Sequence, residues 1–264
     1  MKHRATSLRT MRSAAVLAAA VLVAGCAGLW ETSGGGGTVE ETVVHTVAGG
    51  ESLRSIADDY YGDPNAAVYL ADANDIPPGT VVEPGAVIDV PVSAADLERY
   101  RARTEAKSFY NTGTALAAQG DLARSEEAFR KALEHDPRFV DAAYNLGVVL
   151  LARGESNRAV ILLEQTAAVR PDDAEVRFAW GKALFECERF PAAAEQFRKA
   201  SALDPMLEEA VYALGLAFLS AERREEGVVA LDVYLRRFPH GQWSAEARRR
   251  LSEMASELPP EGGQ

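Results

Sequence analysis

The pattern of apolar and polar positions divides this 264-residue chain into three parts. A short apolar run at 13–25 is followed by polar and glycine-rich residues. Within residues 43–92, alternating positions predict a strand at each end, and apolar residues at helical spacing predict two short helices between them. From residue 93 onward the spacing is helical throughout. The pattern therefore predicts a small βααβ module followed by an all-α region.

The all-α region repeats with a period of 34 residues. Glycines recur at 113, 147, 181 and 215, and prolines recur at 137, 171, 205 and 239. A large apolar residue stands eight positions before each proline, at Phe129, Leu163, Phe197 and Leu231. Glycine allows two helices to approach closely, and proline ends the second helix. The spacing predicts four helix–turn–helix units at about 106–139, 140–173, 174–207 and 208–241, with a connecting helix at 93–105, a capping helix at 240–258 and a disordered tail at 259–264.

These repeats resemble tetratricopeptide repeats, and the resemblance implies an all-α solenoid that binds a protein or peptide segment on its concave face. That face is lined by the first helix of each repeat. The fifth position of each repeat holds an aromatic residue, and the twelfth position of repeats 2 to 4 holds a larger apolar residue whose exposure would favour binding. The candidate groove residues are Tyr110, Tyr144, Leu151, Phe178, Phe185, Tyr212 and Leu219. The aromatic column is explained equally well by packing, so binding and packing both remain open for it.

The second position of each repeat argues against one known mode of peptide recognition. Some tetratricopeptide proteins clamp a C-terminal carboxylate with lysines and asparagines. Here the second positions hold Lys107, Asp141, Glu175 and Glu209. Three carboxylates would repel another one, so the groove is better suited to an apolar or basic segment.

The βααβ segment resembles a LysM domain through "HTVAGGESL", "YGD", "ANDI" and "PG". LysM domains bind N-acetylglucosamine-containing glycans, above all peptidoglycan, in a shallow groove between two loops. The resemblance implies that the glycan-binding residues are Gly49, Gly50, Glu51 and Ser52 on one side, and Asn74, Asp75, Ile76 and Pro77 on the other. The expected fold is thus a small α+β LysM module followed by an all-α tetratricopeptide solenoid.

The N-terminus has the layout of an export signal. Four basic residues and no acidic residue precede the apolar run, which is too short for a stable membrane span. "VAGC" resembles a bacterial lipobox, which implies that the signal peptide is residues 1–25 and that Cys26 carries the lipid anchor, palmitate included. Residues 26–42 then form a flexible linker. Ala27 after the cysteine favours the outer membrane, with the chain facing the periplasm.

Charge and chemistry exclude several function classes. After removal of residues 1–25 the chain has 24 basic and 39 acidic residues, a net charge of −15, which argues against nucleic acid binding. Cys187 is the one cysteine besides Cys26, and no catalytic, metal or cofactor motif is present in the sequence. We therefore expect a non-enzymatic cell-envelope lipoprotein that binds peptidoglycan and scaffolds a protein partner. The alternatives are an assembly factor (pilot) for a secretion or pilus complex, and an activator of a separate peptidoglycan hydrolase.

Overall fold

The computed structural model describes residue 39 and residues 41–256, which belong to one compact unit. The predicted signal peptide, Cys26 and the tail at 259–264 lie outside the described residues. The elements are β1 (Glu41–Thr46), α1 (Leu53–Tyr61), a 3-10 turn (Pro64–Ala66), α2 (Ala67–Ala73), β2 (Val87–Val92), α3 (Ala94–Ala118), α4 (Leu122–His135), α5 (Val140–Ala152), α6 (Ser156–Val169), α7 (Ala174–Glu186), α8 (Phe190–Leu203), α9 (Glu208–Ser220), α10 (Arg224–Arg237) and α11 (Ser244–Ser256). None of these helices is long and apolar enough to cross a bilayer.

The N-terminal module has the order strand, helix, helix, strand. Strands β1 and β2 pair antiparallel, with Glu41 opposite Val92 and Thr46 opposite Val87. Their inner face and the two helices enclose a small core in which Ile56 and Leu70 are fully buried. Strand β1 begins at Glu41, so it includes the last two residues of the predicted linker. This architecture is consistent with the predicted LysM module.

Helix α3 joins the module to the repeats without a break. The expected connecting helix at 93–105 and the first helix of repeat 1 are one 25-residue helix, because no glycine or proline interrupts the chain between Ser93 and Gly113. Ser93 and Asp96 form a capping box at its start. Its N-terminal half packs against the module, where Tyr100 stacks on Tyr60 with ring centroids 3.9 Å apart.

The four repeats pack as the 34-residue period predicts. A Cβ atom placed on Gly113 would lie 2.8 Å from the ring of Phe129, and one on Gly147 would lie 2.7 Å from Leu163. These distances are shorter than any ordinary carbon contact, so the glycines permit the close approach of the two helices in each repeat. Phe129 and Leu163 are almost completely buried as a result.

Helix α11 closes the C-terminal end of the solenoid, inside the predicted capping segment. Ala247 is fully buried against the fourth repeat. Just before the helix, the backbone N–H of Trp243 donates to the hydroxyl of Tyr234, which donates to Glu208 at 2.6 Å. The last repeat is therefore covered by this helix and by the turn that precedes it.

Candidate binding surfaces

The loop after β1 presents open backbone to solvent. Gly49 and Gly50 are exposed, and a Cβ atom on either would meet nothing within 4 Å. Gly50 has φ +88°, a conformation that favours glycine. A ligand could therefore approach the main chain of this loop without steric hindrance from side chains.

The next two residues of this loop hold its shape. The carboxylate of Glu51 accepts hydrogen bonds from the backbone N–H of Ala48 at 2.7 Å and from Nε2 of His45 at 2.9 Å. These two bonds lower the pKa of Glu51, the backbone donor contributing most. Ser52 caps α1 in a capping box with Ser55. The side chains of Glu51 and Ser52 thus position the loop from within the module.

The loop after α2 is attached to strand β2 through Asn74. Its amide nitrogen donates to the carbonyl oxygens of Leu70 and Asp89, and its amide oxygen accepts from the N–H of Asp89 at 2.6 Å. Asp75 follows in a left-handed conformation with φ +53° and is exposed, as is Pro77. Ile76 packs against the core of the module.

The two predicted glycan-binding loops are fixed at neighbouring positions of the same sheet. Glu51 bonds to His45, which lies opposite Ile88, and Asn74 bonds to Asp89, the next residue of β2. Four of the eight predicted residues face solvent with no side-chain role inside the module: Gly49, Gly50, Asp75 and Pro77. The other four stabilise the loops.

The aromatic side chains at the fifth positions are partly exposed to solvent in three of the four repeats. Tyr110, Tyr144 and Phe178 are half-buried. The hydroxyl of Tyr110 accepts a hydrogen bond from Asn145 at 3.1 Å, which ties the first helices of repeats 1 and 2 together. Tyr212 is only 6% exposed.

Tyr212 is covered because Trp243 stacks on it with ring centroids 5.2 Å apart. The expectation that the groove extends to Tyr212 does not fit this arrangement. The physical reason is the turn before α11, which folds an indole ring onto the last aromatic position.

The twelfth positions lie between the two helices of each repeat. Leu151 is buried, Phe185 packs edge-on against Phe190 of α8, and Leu219 packs directly on Gly227 of α10. The prediction that Phe185 and Leu219 would be exposed without a partner is therefore wrong. Both side chains are half-buried, and contacts with their own second helices explain their positions, so this column gives no separate argument for binding.

The ninth position of each of the first three repeats adds exposed surface beside the aromatic residues. These positions were not proposed from the sequence as groove residues. Thr114, Val148 and Lys182 are exposed there, and Val148 is 39% exposed. They lie one helical turn beyond the fifth positions, so the spacing i, i+4 could have identified them. We define the groove as the second, fifth and ninth positions of repeats 1 to 3, with Glu209 at its end.

The groove carries acidic side chains at the second positions of repeats 2 and 3 and a basic one, Lys182, at the ninth position of repeat 3. Burial raises the pKa of Tyr144, and the nearby charges of Glu175 and Asp173 raise it further. Asp141 is paired with Arg170 at 2.6 Å, whereas Glu175 and Glu209 make no ion pair with any described residue. The ring of Tyr144 near the unpaired carboxylate of Glu175 suits a cationic or mixed apolar and cationic ligand.

No metal-binding cluster of three or more His, Cys, Asp or Glu side chains is present among the described residues. Cys187 is half-buried, with its sulfur 3.4 Å from Oδ1 of Asn157.

Comparison with known families identifies the repeats. Residues 116–178 match the model of the tetratricopeptide repeat, and residues 181–220 match a second model of the same repeat. The repeats of this chain are therefore tetratricopeptide repeats, which form a scaffold for protein–protein interaction.

Three known proteins illustrate the likeness. Protein CTR9 homolog of Arabidopsis thaliana is 30% identical over 123 residues, which are 45% of this chain but only 11% of that protein. YrrB, described as a TPR protein with an unusual peptide-binding site, is 25% identical over 58% of this chain and 78% of its own, with a TM-score of 0.52. PilF of Pseudomonas aeruginosa is 25% identical over 60% of this chain and 71% of its own, with a TM-score of 0.51.

Proposed function

We propose that this chain is a non-catalytic cell-envelope adaptor with three attachments. Its solenoid groove binds an apolar and basic segment of a protein partner. Its N-terminal module binds N-acetylglucosamine-containing glycan of peptidoglycan, and lipid on Cys26 anchors it to the membrane. The observation that carries the proposal is the groove itself, where the partly exposed ring of Tyr144 stands near the unpaired carboxylate of Glu175.

The groove favours a ligand with lysine or arginine side chains next to apolar ones. Tyr144 and Phe178 offer ring surface, Val148 offers aliphatic surface, and Glu175 offers a negative charge. A cation between a carboxylate and an aromatic ring is stabilised by both. The likeness to YrrB, which is described as having a peptide-binding site, supports a peptide segment as the ligand.

A peptide-library selection with the full chain tests the groove. We expect the selected peptides to be rich in basic and apolar residues, and we expect Glu175→Lys to weaken their binding about tenfold or more. Glu164→Lys is the matched control, because Glu164 is exposed on α6 and the charge change is the same. Selection of acidic peptides, or equal loss in both variants, would contradict the proposed groove.

The module is proposed to bind glycan through the open backbone of its first loop. Cosedimentation of the full chain with purified sacculi tests this. Gly49→Gln should reduce cosedimentation, because the new side chain enters the open surface without a clash. Val68→Gln, at an exposed site on α2, should leave it unchanged. A chain that does not sediment with sacculi would refute glycan binding and leave the groove proposal untouched.

Helix α3 gives the proposed adaptor a fixed geometry. It packs on the module through Tyr100, and Lys107 pairs with Asp59 at 2.6 Å. Its C-terminal half carries Tyr110 of the groove. A module bound to the cell wall would therefore hold the groove in a defined orientation.

The lipid anchor is a separate part of the proposal. Cys26→Ser should move the full chain from the detergent phase to the aqueous phase in a partition assay, because the acylated thiol is removed. Retention of this variant in the detergent phase would contradict anchoring through Cys26.

A further inference from the structure

Helix α10 exposes two apolar side chains at positions where the second helix of repeat 2 exposes one, Ile161 at 61%, and those of repeats 1 and 3 expose none. Val229 is 61% exposed and Val233 is 38% exposed, one helical turn apart. The equivalent positions form the ion pairs Glu127–Lys131 in repeat 1 and Glu195–Lys199 in repeat 3, and hold Ile161 and Gln165 in repeat 2. Valine is a poorer helix former than glutamate or lysine, so helix stability does not explain the two valines.

An apolar cavity adjoins these valines. It lies between α8, α9 and α10 and has a volume of about 590 Å³. Its apolar lining includes Ala202, Leu214 and Phe218 besides the two valines, and charged side chains stand at its edge: Arg198, Glu225, Glu226 and Arg237. The exposed face of α10 is thus continuous with this cavity, which apolar side chains can enter.

The charges on this face are arranged with opposite signs at its two ends. Glu225 and Glu226 are exposed in the first turn of α10, and Arg236 and Arg237 are exposed in the last turn. The fully buried Leu231 points to the opposite side, into the solenoid. The face therefore runs from acidic through apolar to basic.

We propose that α10 pairs with α10 of a second copy of this chain in an antiparallel, two-fold symmetric dimer. When two such helices align about residue 231, Glu225 faces Arg237 of the second copy. Glu226 faces Arg236, and Val229 faces Val233. Both ends of the contact then join opposite charges, and its centre is apolar, as a self-complementary interface requires.

The existing partners of these charges do not oppose the pairing. Glu226 bonds to Arg223, Arg236 bonds to Asp232, and Arg237 donates to the carbonyl oxygen of Pro205 at 3.0 Å. Each arginine is exposed, and such surface contacts contribute little. Glu225 makes no ion pair with any described residue. Acidic first turns and basic last turns also favour the dipole of their own helix, but that effect does not account for the exposed valines.

The dimer contact is independent of the proposed peptide groove. The groove is formed by first helices, whereas α10 is the second helix of repeat 4. Each dimer would thus present two grooves, and a partner with two binding segments would gain avidity.

Sedimentation equilibrium of the full chain tests the proposal. We expect self-association, and we expect Val229→Lys with Val233→Lys to raise the dissociation constant about tenfold or more, because the lysine at 229 of one copy would face the lysine at 233 of the other. Both positions are exposed and lysine is a better helix former than valine, so the helix should remain folded. The control, Ile161→Lys with Gln165→Lys, places two lysines at the equivalent exposed positions of repeat 2 and should leave association unchanged.

Charge reversal gives a second, independent test. Glu225→Arg and Arg237→Glu should each be largely monomeric, because like charges would face each other across the two-fold axis. An equimolar mixture of the two variants should form a heterodimer, because the arginine introduced at position 225 of one chain would face the glutamate introduced at position 237 of the other. A monomeric wild-type chain at all concentrations, a dimer unaffected by the valine changes, or a mixture that stays monomeric would overturn the proposal.

Discussion

Replacement of Gly147 by alanine should destabilise the solenoid. The new Cβ atom would lie 2.7 Å from both Cγ and Cδ2 of Leu163, where carbon atoms prefer about 3.5–4.0 Å. Leu163 is completely buried, so it has little room to move. Overpacking of this kind costs about 1–3 kcal/mol, and the better helix propensity of alanine offsets about 1 kcal/mol. With two atoms overlapped, we expect a net loss of about 1–2 kcal/mol in the free energy of unfolding.

A double-mutant cycle with Leu163→Ala isolates the contact. Leu163→Ala alone should cost about 2–5 kcal/mol, because it leaves a cavity. In that background Gly147→Ala should become neutral or stabilising, since the atoms it strikes are gone and the helix propensity of alanine remains. Urea unfolding followed by circular dichroism measures all four chains. If Gly147→Ala has the same effect in both backgrounds, the close approach of the two helices is not what requires glycine.

Three further changes test the module and the C-terminal cap. Asn74→Ala should cost about 1–2 kcal/mol in calorimetry, because the N–H and C=O of Asp89 lose their side-chain partners and only water can replace them. The lowered pKa of Glu51 means that its contribution to stability is complete above pH 4.5 and is lost as the pH falls below that value; Glu51→Gln should therefore flatten this part of a plot of Tm against pH. Tyr234→Phe should lower the free energy of unfolding in urea by about 1–3 kcal/mol, because the buried ring loses its bond to Glu208; an unchanged value would show that the C-terminal cap does not depend on this hydroxyl.

The repeats could be predicted from the sequence because their constraints are local. Each glycine contacts a residue sixteen positions later, inside the same helix pair, as Gly147 contacts Leu163. A contact within one repeat recurs with the period of the chain and is visible as a pattern. The prediction of a boundary at residue 105 was wrong, since α3 continues through it. That boundary was placed where the 34-residue repeat begins, but no glycine or proline stands there to end the helix.

The binding surfaces were harder to predict because exposure depends on contacts between distant elements. The sequence pattern predicted that Leu219 has no packing partner. In the structure its side chain occupies the space beside Gly227 of α10, where a larger residue would overlap it. Tyr212 is closed off by Trp243, 31 positions later and outside the repeat period. In the module, the internal roles of Glu51 and Asn74 follow from partners on the strands and could not be read from the loop residues alone.

Site-specific photo-crosslinking in living cells tests the central claim most directly, namely that the groove binds a protein segment. A photo-reactive residue at position 148 lies in the groove, and one at position 161 lies on the exposed face of a second helix. The account predicts a discrete protein adduct from position 148 that is absent from position 161 and is lost with Glu175→Lys. The same adducts from both positions, or no protein adduct from position 148, would contradict it.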